Sequence, residues 1–552
     1  MYVYDSYDQR IVEDRVKQFR DQTRRYLAGE LSGEEFRPLR LQNGLYIQRY
    51  APMLRVAVPY GLLASRQVRK LAQIAREYDK GYAHISTRQN VQFNWPELED
   101  VPEILAELAT VQMHAIQTSG NCIRNTTSDQ FAGVARDELI DPRPWCELIR
   151  QWSTFHPEFA HLPRKFKIAV NGARQDRAAI EVHDIGLEAV KNEAGELGFR
   201  VSVGGGLGRT PIVGSFINEF VAWPHLLTYL EAILRVYNRY GRRDNKFKAR
   251  IKILVKALTP AVFAERVAAE WAHLKDGEAT LTEAEVDRVA GFFVDPVYQS
   301  LTDEDEALAK LDAEHPGFAR WRTRNVVAHK KPGYAAVTLS LKPTGTAPGD
   351  VTDKQLDAIA DLADRYSFGE VRNSHNQNMI LADVEQRQLF TLWNELRERG
   401  FASPNIGLLT DMICCPGGDY CSLANAKSIP VAEAIQRRFD DLDYLFDLGD
   451  IDLNISGCMN ACGHHHVGHI GILGVDKKGE EFYQVSLGGS SARDASLGQI
   501  LGPSFAQDAM PDVISKIIDV YVARRTEDER FIDTFRRIGI DPFKERVYAA
   551  NH

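Results

Sequence analysis

Hydrophobic and polar positions follow the same order in two distant stretches of the chain. In residues 64–93 and 352–381, apolar residues at helical spacing lead to a glycine and then to a strand-like run containing Gln-Asn. At a constant offset of 288 residues, eight of these 30 positions are identical. Each stretch is therefore predicted to form an amphipathic helix, a glycine stop and a strand.

Strand-like segments outside these stretches are repeated as well. Leu54–Val58 and Ala335–Leu341 precede the two predicted helices, and FRVSVGGG at 199–206 is similar to YQVSLGGS at 483–490. A repeat of this length is too long for a solenoid. We predict an internally duplicated α+β fold in which each copy has a smaller α+β unit followed by a larger one. Chance similarity between two helices is the alternative, and it leaves the shared Gln-Asn unexplained.

The chain has 552 residues, which is more than one hydrophobic core can organise. The repeat divides it into an N-terminal arm and two pairs of units. The predicted segments are the arm (1–43), a smaller unit (44–115), a larger unit (116–325), a second smaller unit (330–402) and a second larger unit (403–545).

Composition indicates the class of protein. Hydrophobic residues make up 44% of the chain and charged residues 26%, as in ordinary soluble globular proteins. The net charge of −9 argues against non-specific binding to nucleic acid. The first 27 residues carry charges throughout and lack a signal-peptide core, and no window approaches the roughly 18 apolar residues of a membrane span. We expect a cytoplasmic protein that binds neither nucleic acid nor membranes.

Five of the seven cysteines lie between positions 414 and 462, which predicts metal ligation rather than a disulfide framework. Cys415 and Cys421 form a C-x5-C pair, and Cys458 and Cys462 form a C-x3-C pair. Four thiolates can hold a zinc ion or a [4Fe–4S] cluster. The wide first loop favours the cluster, and zinc stays open. Cys414 would require C-x6-C spacing, so we expect it to be a buried neighbour.

Two further motifs near these residues are assigned less specific roles. The run His464–His466 follows the last cysteine directly, and successive side chains of an extended segment point to opposite faces. These histidines are expected to be solvated or to support the ligands. The glycine run 204–206 lacks the third glycine and the regular βαβ context of a dinucleotide fingerprint, so no NAD(P) site is predicted.

Three short segments in the first half combine cations with turn or strand chemistry, namely 86–90, 120–125 and 162–167. Lys165 and Lys167 lie on one face of the last predicted strand. At the repeat offset of 288 residues, Arg88 aligns with Asn376, so the first copy has a cation that the second lacks. The second copy instead carries the cysteines. This division predicts one site at the junction, with cations from one copy and metal from the other.

Together these segments resemble the siroheme-dependent sulfite and nitrite reductases. The resemblance rests on the C-x5-C and C-x3-C pairs, the Thr-Arg-Gln-Asn strand at 87–90, Asn-Cys-Ile-Arg-Asn at 121–125 and Pro-Arg-Lys-Phe-Lys at 163–167. It covers about residues 44–545. The fold that it implies has two ferredoxin-like halves and two larger α+β siroheme and iron–sulfur units about a pseudo-twofold axis.

The resemblance also implies cofactors and the residues that bind them. The four paired cysteines would bind a [4Fe–4S] cluster, and Cys462 would also bridge to the iron of siroheme. Anion binding and catalysis would fall to the cations Arg88, Arg124, Lys165 and Lys167. The implied contacts to siroheme come from Arg88, Asn90, Arg124, Lys165, Lys167, Arg250, Lys252, Asn460 and Cys462. Met459 departs from the family's C-P-N-x-C pattern.

The implied activity is that of an assimilatory sulfite reductase catalytic subunit, which reduces sulfite to sulfide with six electrons. Lys167 favours sulfite, because the nitrite branch of the family has asparagine at this position. Electrons would come from a ferredoxin or an NADPH-linked flavoprotein subunit, since the chain shows no flavin module of its own. The alternatives are nitrite reduction to ammonia on the same scaffold and a zinc-stabilised, non-catalytic interaction protein. The last alternative leaves the basic segments unexplained.

Overall fold

The protein is described by a computed structural model that covers residues 5–549, so the first four residues of the predicted arm lie outside the described part. Its strands are β1 (Leu45–Ile47), β2 (Pro52–Val56), β3 (Leu62–Ala64), β4 (Tyr82–Ile85), β5 (Val91–Phe93), β6 (Thr127–Ser128), β7 (Ile168–Asn171), β8 (Ile185–Lys191), β9 (Leu197–Val203), β10 (Ser215–Ala222), β11 (Val326–Ala328), β12 (Tyr334–Leu339), β13 (Asp350–Thr352), β14 (Glu370–Asn373), β15 (Met379–Glu385), β16 (Ile413–Cys414), β17 (Leu453–Ser456), β18 (Ile470–Lys477), β19 (Glu480–Leu487) and β20 (Gln499–Ile500). Its α-helices are α1 (Ser6–Leu27), α2 (Gly33–Gln42), α3 (Ser65–Tyr78), α4 (Val101–Ala109), α5 (Arg143–Ser153), α6 (Leu226–Tyr240), α7 (Ile251–Leu258), α8 (Pro260–Trp271), α9 (Glu283–Ala290), α10 (Asp305–Glu314), α11 (Pro316–Asn325), α12 (Asp353–Tyr366), α13 (Leu389–Glu398), α14 (Ile429–Arg438), α15 (Leu442–Leu448), α16 (Met510–Arg524), α17 (Phe531–Ile538) and α18 (Asp541–Tyr548).

The two smaller sheets have the same topology and exchange a strand. Their orders are β1-β2-β5-β4-β13 and β11-β12-β15-β14-β3, with antiparallel pairing throughout. Strand β3 of the first half pairs with β14 of the second, and β13 of the second half pairs with β4 of the first. The apolar side chains of both halves form one continuous core. The two halves are therefore held in one fixed arrangement.

The repeated helices α3 and α12 end in the same way. The N–H of Gly81 donates to the carbonyl of Ala75, and the N–H of Gly369 donates to the carbonyl of Ala363, both at 2.9 Å. Both glycines have a positive φ, +78° and +75°, which glycine adopts without a Cβ clash. The predicted order of helix, glycine stop and strand is confirmed in both copies, but the Gln-Asn pairs lie in the turn after the strand and not in the strand itself.

The two larger sheets repeat each other as well. In the first, β6, β7 and β8 are parallel and β9 and β10 are antiparallel, and in the second, β16 to β20 follow the same scheme. Gly204 follows β9 and Gly488 follows β19, with φ of +84° and +86°. The predicted α+β fold with internal duplication is confirmed. The predicted segment boundaries stay a prediction, because the exchanged strands cross them.

The N-terminal arm is part of the folded body. Helices α1 and α2 bury Val12, Val16, Phe19 and Phe36 in the shared core of the smaller sheets. A capping box between Ser32 and Glu35 begins α2. Within residues 5–549, no helix is long and apolar enough to cross a membrane.

Candidate active site

A cavity of about 900 Å³ lies where the arm, the first smaller unit and both larger units meet. No Asp or Glu side chain of residues 5–549 lines it, although the whole chain has a net charge of −9. The basic side chains that line it are Arg15, Arg37, Arg40, Arg55, Arg124, Arg164 and Lys165. A space bordered by seven cations and no carboxylates attracts an anionic occupant.

The two cysteine pairs border this cavity because they follow neighbouring strands. Strand β16 ends at Cys414 and is followed directly by Cys415, whereas β17 ends two residues before Cys458. These strands are parallel partners, so the chain leaves both at the same edge of the sheet. Cys421 and Cys462 complete the pairs, and all four paired cysteines line the cavity. Among the described residues, no three His, Cys, Asp or Glu side chains are close enough together to hold a single metal ion. The four sulfurs therefore surround a larger space.

Glycines make the tight turns of both cysteine loops possible. Gly417, in the first loop, has φ of +58°, and a Cβ there would lie 2.4 Å from the Oγ of Ser428. Gly463 follows the last cysteine, and a Cβ there would lie 1.9 Å from the carbonyl oxygen of Ile455. A side chain at either position would displace a cysteine from the cavity wall.

The chemical environment of the thiols differs between the paired cysteines and Cys414. The Sγ of Cys415 accepts a hydrogen bond from the N–H of Gly457 at 3.2 Å. Burial raises the pKa of the Cys415, Cys421 and Cys458 thiols, so these groups need a positively charged partner to become thiolates. Cys414 is buried, does not line the cavity and directs its Sγ to the carbonyl of Cys415 at 3.3 Å.

The four predicted catalytic cations are gathered in one region but differ in access. Arg124 and Lys165 line the cavity, whereas Arg88 and Lys167 are half-buried and are not among its lining residues. The guanidinium of Arg88 donates to the Oγ1 of Thr127 and to the carbonyl of Asn125, each at 2.7 Å. That of Arg124 donates to two carbonyls of its own loop at 2.8 Å. Arg88 and Arg124 are therefore held in fixed orientations by the backbone.

The half-buried cations Arg88, Lys165 and Lys167 have too little negative charge around them. Burial, with smaller contributions from neighbouring cations, lowers the pKa of Arg88 to about 9 and that of Lys165 to about 7. The pKa of Lys167 is lowered well below its usual value for the same reasons. Anions bound beside these three side chains would stabilise their protonated, positively charged forms.

The implied siroheme fits these donors. It is a polycarboxylate macrocycle, and burying it requires cations and amide donors around its rim. The cavity offers cations without competing carboxylates, and the Nε of Arg15 is buried with no hydrogen-bond partner in the described residues. The four cysteines border the same space and suit the implied [4Fe–4S] cluster.

Arg250 and Lys252 are not among the residues that line the cavity, and both are bound by other groups of the protein. Arg250 forms three contacts of 2.8–2.9 Å with the fully buried carboxylate of Asp184. The ammonium of Lys252 donates to the carbonyls of Gly206, Leu207 and Thr210. Lys252 thereby holds the glycine loop against the second cysteine loop. Contact of either cation with siroheme stays a prediction.

The two predicted asparagines have different surroundings. Asn460 lines the cavity beside Cys458 and Cys462. Asn90 is buried, and its Oδ1 accepts from the N–H of Val58 at 3.1 Å and from the amide of Asn125 at 2.8 Å. In the second copy, Asn378 accepts in the same way from the N–H of Leu341 at 3.1 Å. Because both asparagines accept the same backbone hydrogen bond, the repeated Gln-Asn is accounted for by its role in the fold.

The histidine run is not solvated as a whole. His464 and His465 are buried, and burial lowers the pKa of both well below the usual value, so they are neutral. A ring nitrogen of His466 lies 3.0 Å from the carbonyl of Gly208, in the loop held by Lys252. Of the two predicted roles, burial excludes the solvated one for His464 and His465, and a role in supporting the ligands stays a prediction.

Sequence reasoning missed several residues of the cavity wall. Arg15, Arg37 and Arg40 come from the arm, outside the repeated pattern, and Arg55 comes from β2. Tyr46 also lines the cavity, and although burial acts to raise its pKa, Arg124 and Arg55 beside it leave that pKa lowered. The only signal was the concentration of arginine in the arm, which is equally typical of a solvated helix surface.

Replacing Asp184 by asparagine is expected to destabilise the cofactor-free protein. The carboxylate accepts from Arg250 and from the backbone N–H of Lys167 at 2.9 Å, and its removal leaves a buried guanidinium without a counter-charge. Losing one partner of a buried pair costs about 3–5 kcal/mol. Cofactor carboxylates would supply replacement charge, so the fall in unfolding midpoint should be smaller for the loaded protein. Equal falls in both forms would contradict this account.

Two family models of known proteins match most of the segments that form this cavity. A family model described as the nitrite and sulphite reductase 4Fe-4S domain matches residues 119–275 and 408–551. A second, described as the nitrite/sulfite reductase ferredoxin-like half domain, matches residues 47–111 and 328–399. Each model matches the chain twice, as the duplication requires.

Relatives and a solved structure resemble the chain over most of its length. A sulfite reductase (ferredoxin) of Mycobacterium tuberculosis (strain ATCC 25618 / H37Rv) is 30% identical over 495 residues, 87% of this chain and 81% of that protein. An assimilatory ferredoxin-dependent nitrite reductase of Haloferax mediterranei is 28% identical, covering 89% of this chain and 83% of that protein. The structure of the Mycobacterium tuberculosis NirA protein superimposes with a TM-score of 0.76 at 28% identity, over 93% of this chain and 92% of that one.

Proposed function

This chain belongs to the nitrite and sulfite reductase family, and from that premise we propose that it reduces sulfite to sulfide with electrons from a ferredoxin. The family makes it an oxidoreductase with siroheme and a [4Fe–4S] cluster, which replaces the zinc-stabilised interaction protein as an interpretation of the cysteines. The observation that carries the proposal is the cavity itself, in which four cysteines face seven cations and no carboxylate of the described residues.

The proposed ligands of the cluster are Cys415, Cys421, Cys458 and Cys462, with Cys462 shared with siroheme. Their common position on the cavity wall supports this assignment. When bound, siroheme supplies an iron with an open position for a small anion, and the cluster stores electrons beside it. The proposed siroheme contacts are Arg88, Asn90, Arg124, Lys165, Lys167, Arg250, Lys252, Asn460 and Cys462.

The cations would bind the anion and supply protons. The guanidinium of Arg124 faces the cavity and is held by two backbone carbonyls, so it can offer the anion a fixed donor. Lys165 has a pKa lowered to about 7 by burial, which suits an acid that donates and regains protons near neutral pH. Reduction of each S–O bond releases oxygen as water and so consumes protons at this place.

The choice of sulfite rests on charge at the end of the basic segment 163–167, which was predicted to be a strand but in the structure is a loop that leads into β7. Sulfite carries up to two negative charges, whereas nitrite carries one, and Lys167 adds a second ammonium where the nitrite branch has a neutral amide. Lys167 is half-buried among Arg88, Lys165 and Arg250, which supports a role in binding the more highly charged anion. Nitrite reduction remains the second candidate, because a nitrite reductase of similar identity matches the chain.

Turnover of the two anions by the purified holoenzyme tests the proposal. With reduced methyl viologen as the electron source, kcat/KM for sulfite should exceed that for nitrite by about tenfold or more, as a site built for one anion predicts. The visible spectrum of the same sample checks that siroheme is bound. A clear preference for nitrite in a siroheme-loaded sample would overturn the sulfite assignment.

A further inference from the structure

An exposed basic and aromatic surface lies against the outside of the first cysteine loop. It is formed by Arg49, Tyr50, Lys80 and Trp95, here called the Tyr50 patch. Tyr50 is 63% exposed, Arg49 and Lys80 are exposed, and Trp95 is half-buried. The ring of Tyr50 stacks on Trp95 at 6.2 Å, and the ammonium of Lys80 lies 3.4 Å from the centre of the Trp95 ring. These contacts preorganise the patch.

The Tyr50 patch contacts the loop that carries Cys415 and Cys421. The N–H of Arg49 donates to the carbonyl of Tyr420 at 3.4 Å, and its guanidinium donates to the carbonyl of Gly418 at 3.4 Å. Trp95 packs edge-on against Tyr420, with ring centres 5.2 Å apart. Because Tyr420 immediately precedes Cys421, the loop has the patch on its outer side and the cavity on its inner side.

The two cations of the Tyr50 patch are exposed and have no carboxylate partner among the described residues. Neither Arg49 nor Lys80 forms an ion pair within residues 5–549, in a chain whose net charge is negative. The adjacent Asp79 is turned inward, where its carboxylate accepts from the N–H groups of Lys80 and Trp95. Unpaired cations beside Tyr and Trp form the kind of surface that steers and holds an acidic protein.

We propose that the Tyr50 patch is the docking surface for an acidic electron-carrier protein. This inference rests on the proposed function, which requires an external donor. Each encounter gives the enzyme one electron and leaves the carrier oxidised by one electron. Six encounters meet the balance SO₃²⁻ + 6e⁻ + 7H⁺ → HS⁻ + 3H₂O. The patch places the carrier beside the cysteine loop and leaves the cavity mouth to the anion.

Charge reversal at Lys80 tests the docking surface. The loaded Lys80→Glu variant should bind a reduced or oxidised acidic ferredoxin about tenfold more weakly than the wild type at low salt, because an attraction becomes a repulsion. Its KM for reduced ferredoxin should rise by a similar factor, while sulfite reduction driven by methyl viologen is unchanged. Tyr50→Ala should weaken binding several-fold and independently of salt.

A matched control is Lys191→Glu, which makes the same change in net charge. Lys191 is exposed at the far end of β8, whose other end begins beside Asp184, roughly 20 Å away along the strand. Equal weakening of ferredoxin binding by Lys80→Glu and Lys191→Glu would overturn the proposed surface. The proposed surface would also be overturned if a Lys80→Glu variant with an unchanged unfolding midpoint bound ferredoxin as tightly as the wild type.

The same measurements separate this inference from the proposed function. If viologen drives sulfite reduction but ferredoxin neither binds nor reduces the wild type, the docking surface and the ferredoxin donor fail and the anion assignment stands. If ferredoxin binding depends on Lys80 while viologen-driven reduction of sulfite is absent, the surface stands and the proposed substrate fails.

Discussion

Cys462→Ser is expected to lose both the iron–sulfur cluster and siroheme. Cys462 is the last residue of the C-x3-C pair, lines the cavity and is the proposed shared ligand. A serine hydroxyl stays protonated near neutral pH and is a poor ligand for iron in place of a soft thiolate. Iron content should fall from roughly five atoms per chain to a small fraction of that, and the siroheme bands should disappear.

Cys414→Ser is the matched control for this experiment. Its side chain is buried, is absent from the cavity wall and interacts with the carbonyl of Cys415. This variant should keep both cofactors, and any loss should be one of stability. A Cys414→Ser protein without a cluster, together with a Cys415→Ser protein that retains one, would contradict the proposed ligand set.

Lys167→Asn is expected to lower kcat/KM for sulfite far more than for nitrite. Burial and the neighbouring cations lower the pKa of Lys167, so a bound dianion would stabilise its charged form and gain a charge contact. An asparagine amide offers only a neutral dipole. Losing one partly desolvated charge contact costs on the order of 2–4 kcal/mol, or roughly 30- to 1000-fold in rate.

The measurement compares both anions on siroheme-loaded wild type and variant with viologen as the reductant. Lys191→Asn, at an exposed position of the first larger sheet, is the control and should change neither rate. The backbone N–H of residue 167 still donates to Asp184 in the variant, so siroheme loading should persist. Equal losses for sulfite and nitrite would remove the basis for assigning sulfite specificity to Lys167.

Local patterns in the sequence were sufficient for the repeated elements and the cysteine pairs. The Gln-Asn signature marks a turn in which Gln89 and Gln377 have φ of +61° and +60°, and the following asparagine accepts a backbone hydrogen bond in both copies. Such geometry depends on neighbouring residues, and the same local sequence therefore produces it twice. The spacing of the cysteines could likewise be read directly, because each pair lies within one loop.

Several residues that the sequence analysis predicted as ligands form hydrogen bonds within the protein instead, because they are buried. Lys252 and Asn90 carry the right chemistry for a ligand, yet in the fold Lys252 donates to three carbonyls and Asn90 completes a turn. Their polar atoms are buried, and a buried polar group is stabilised by whichever partner the packing places beside it. Composition and spacing carry no information about that partner.

The sequence by itself determined the duplication, the repeated helix with its glycine stop and the two cysteine loops, because these depend on interactions between residues close in the chain. Only the tertiary structure decided that the two halves exchange β3 and β13, that arginines of the arm reach the cavity, and that Arg88 and Lys167 do not line it. These arrangements join residues tens to hundreds of positions apart. Which of them meet is determined by how the cores pack together, and that is a property of the whole chain rather than of any local pattern.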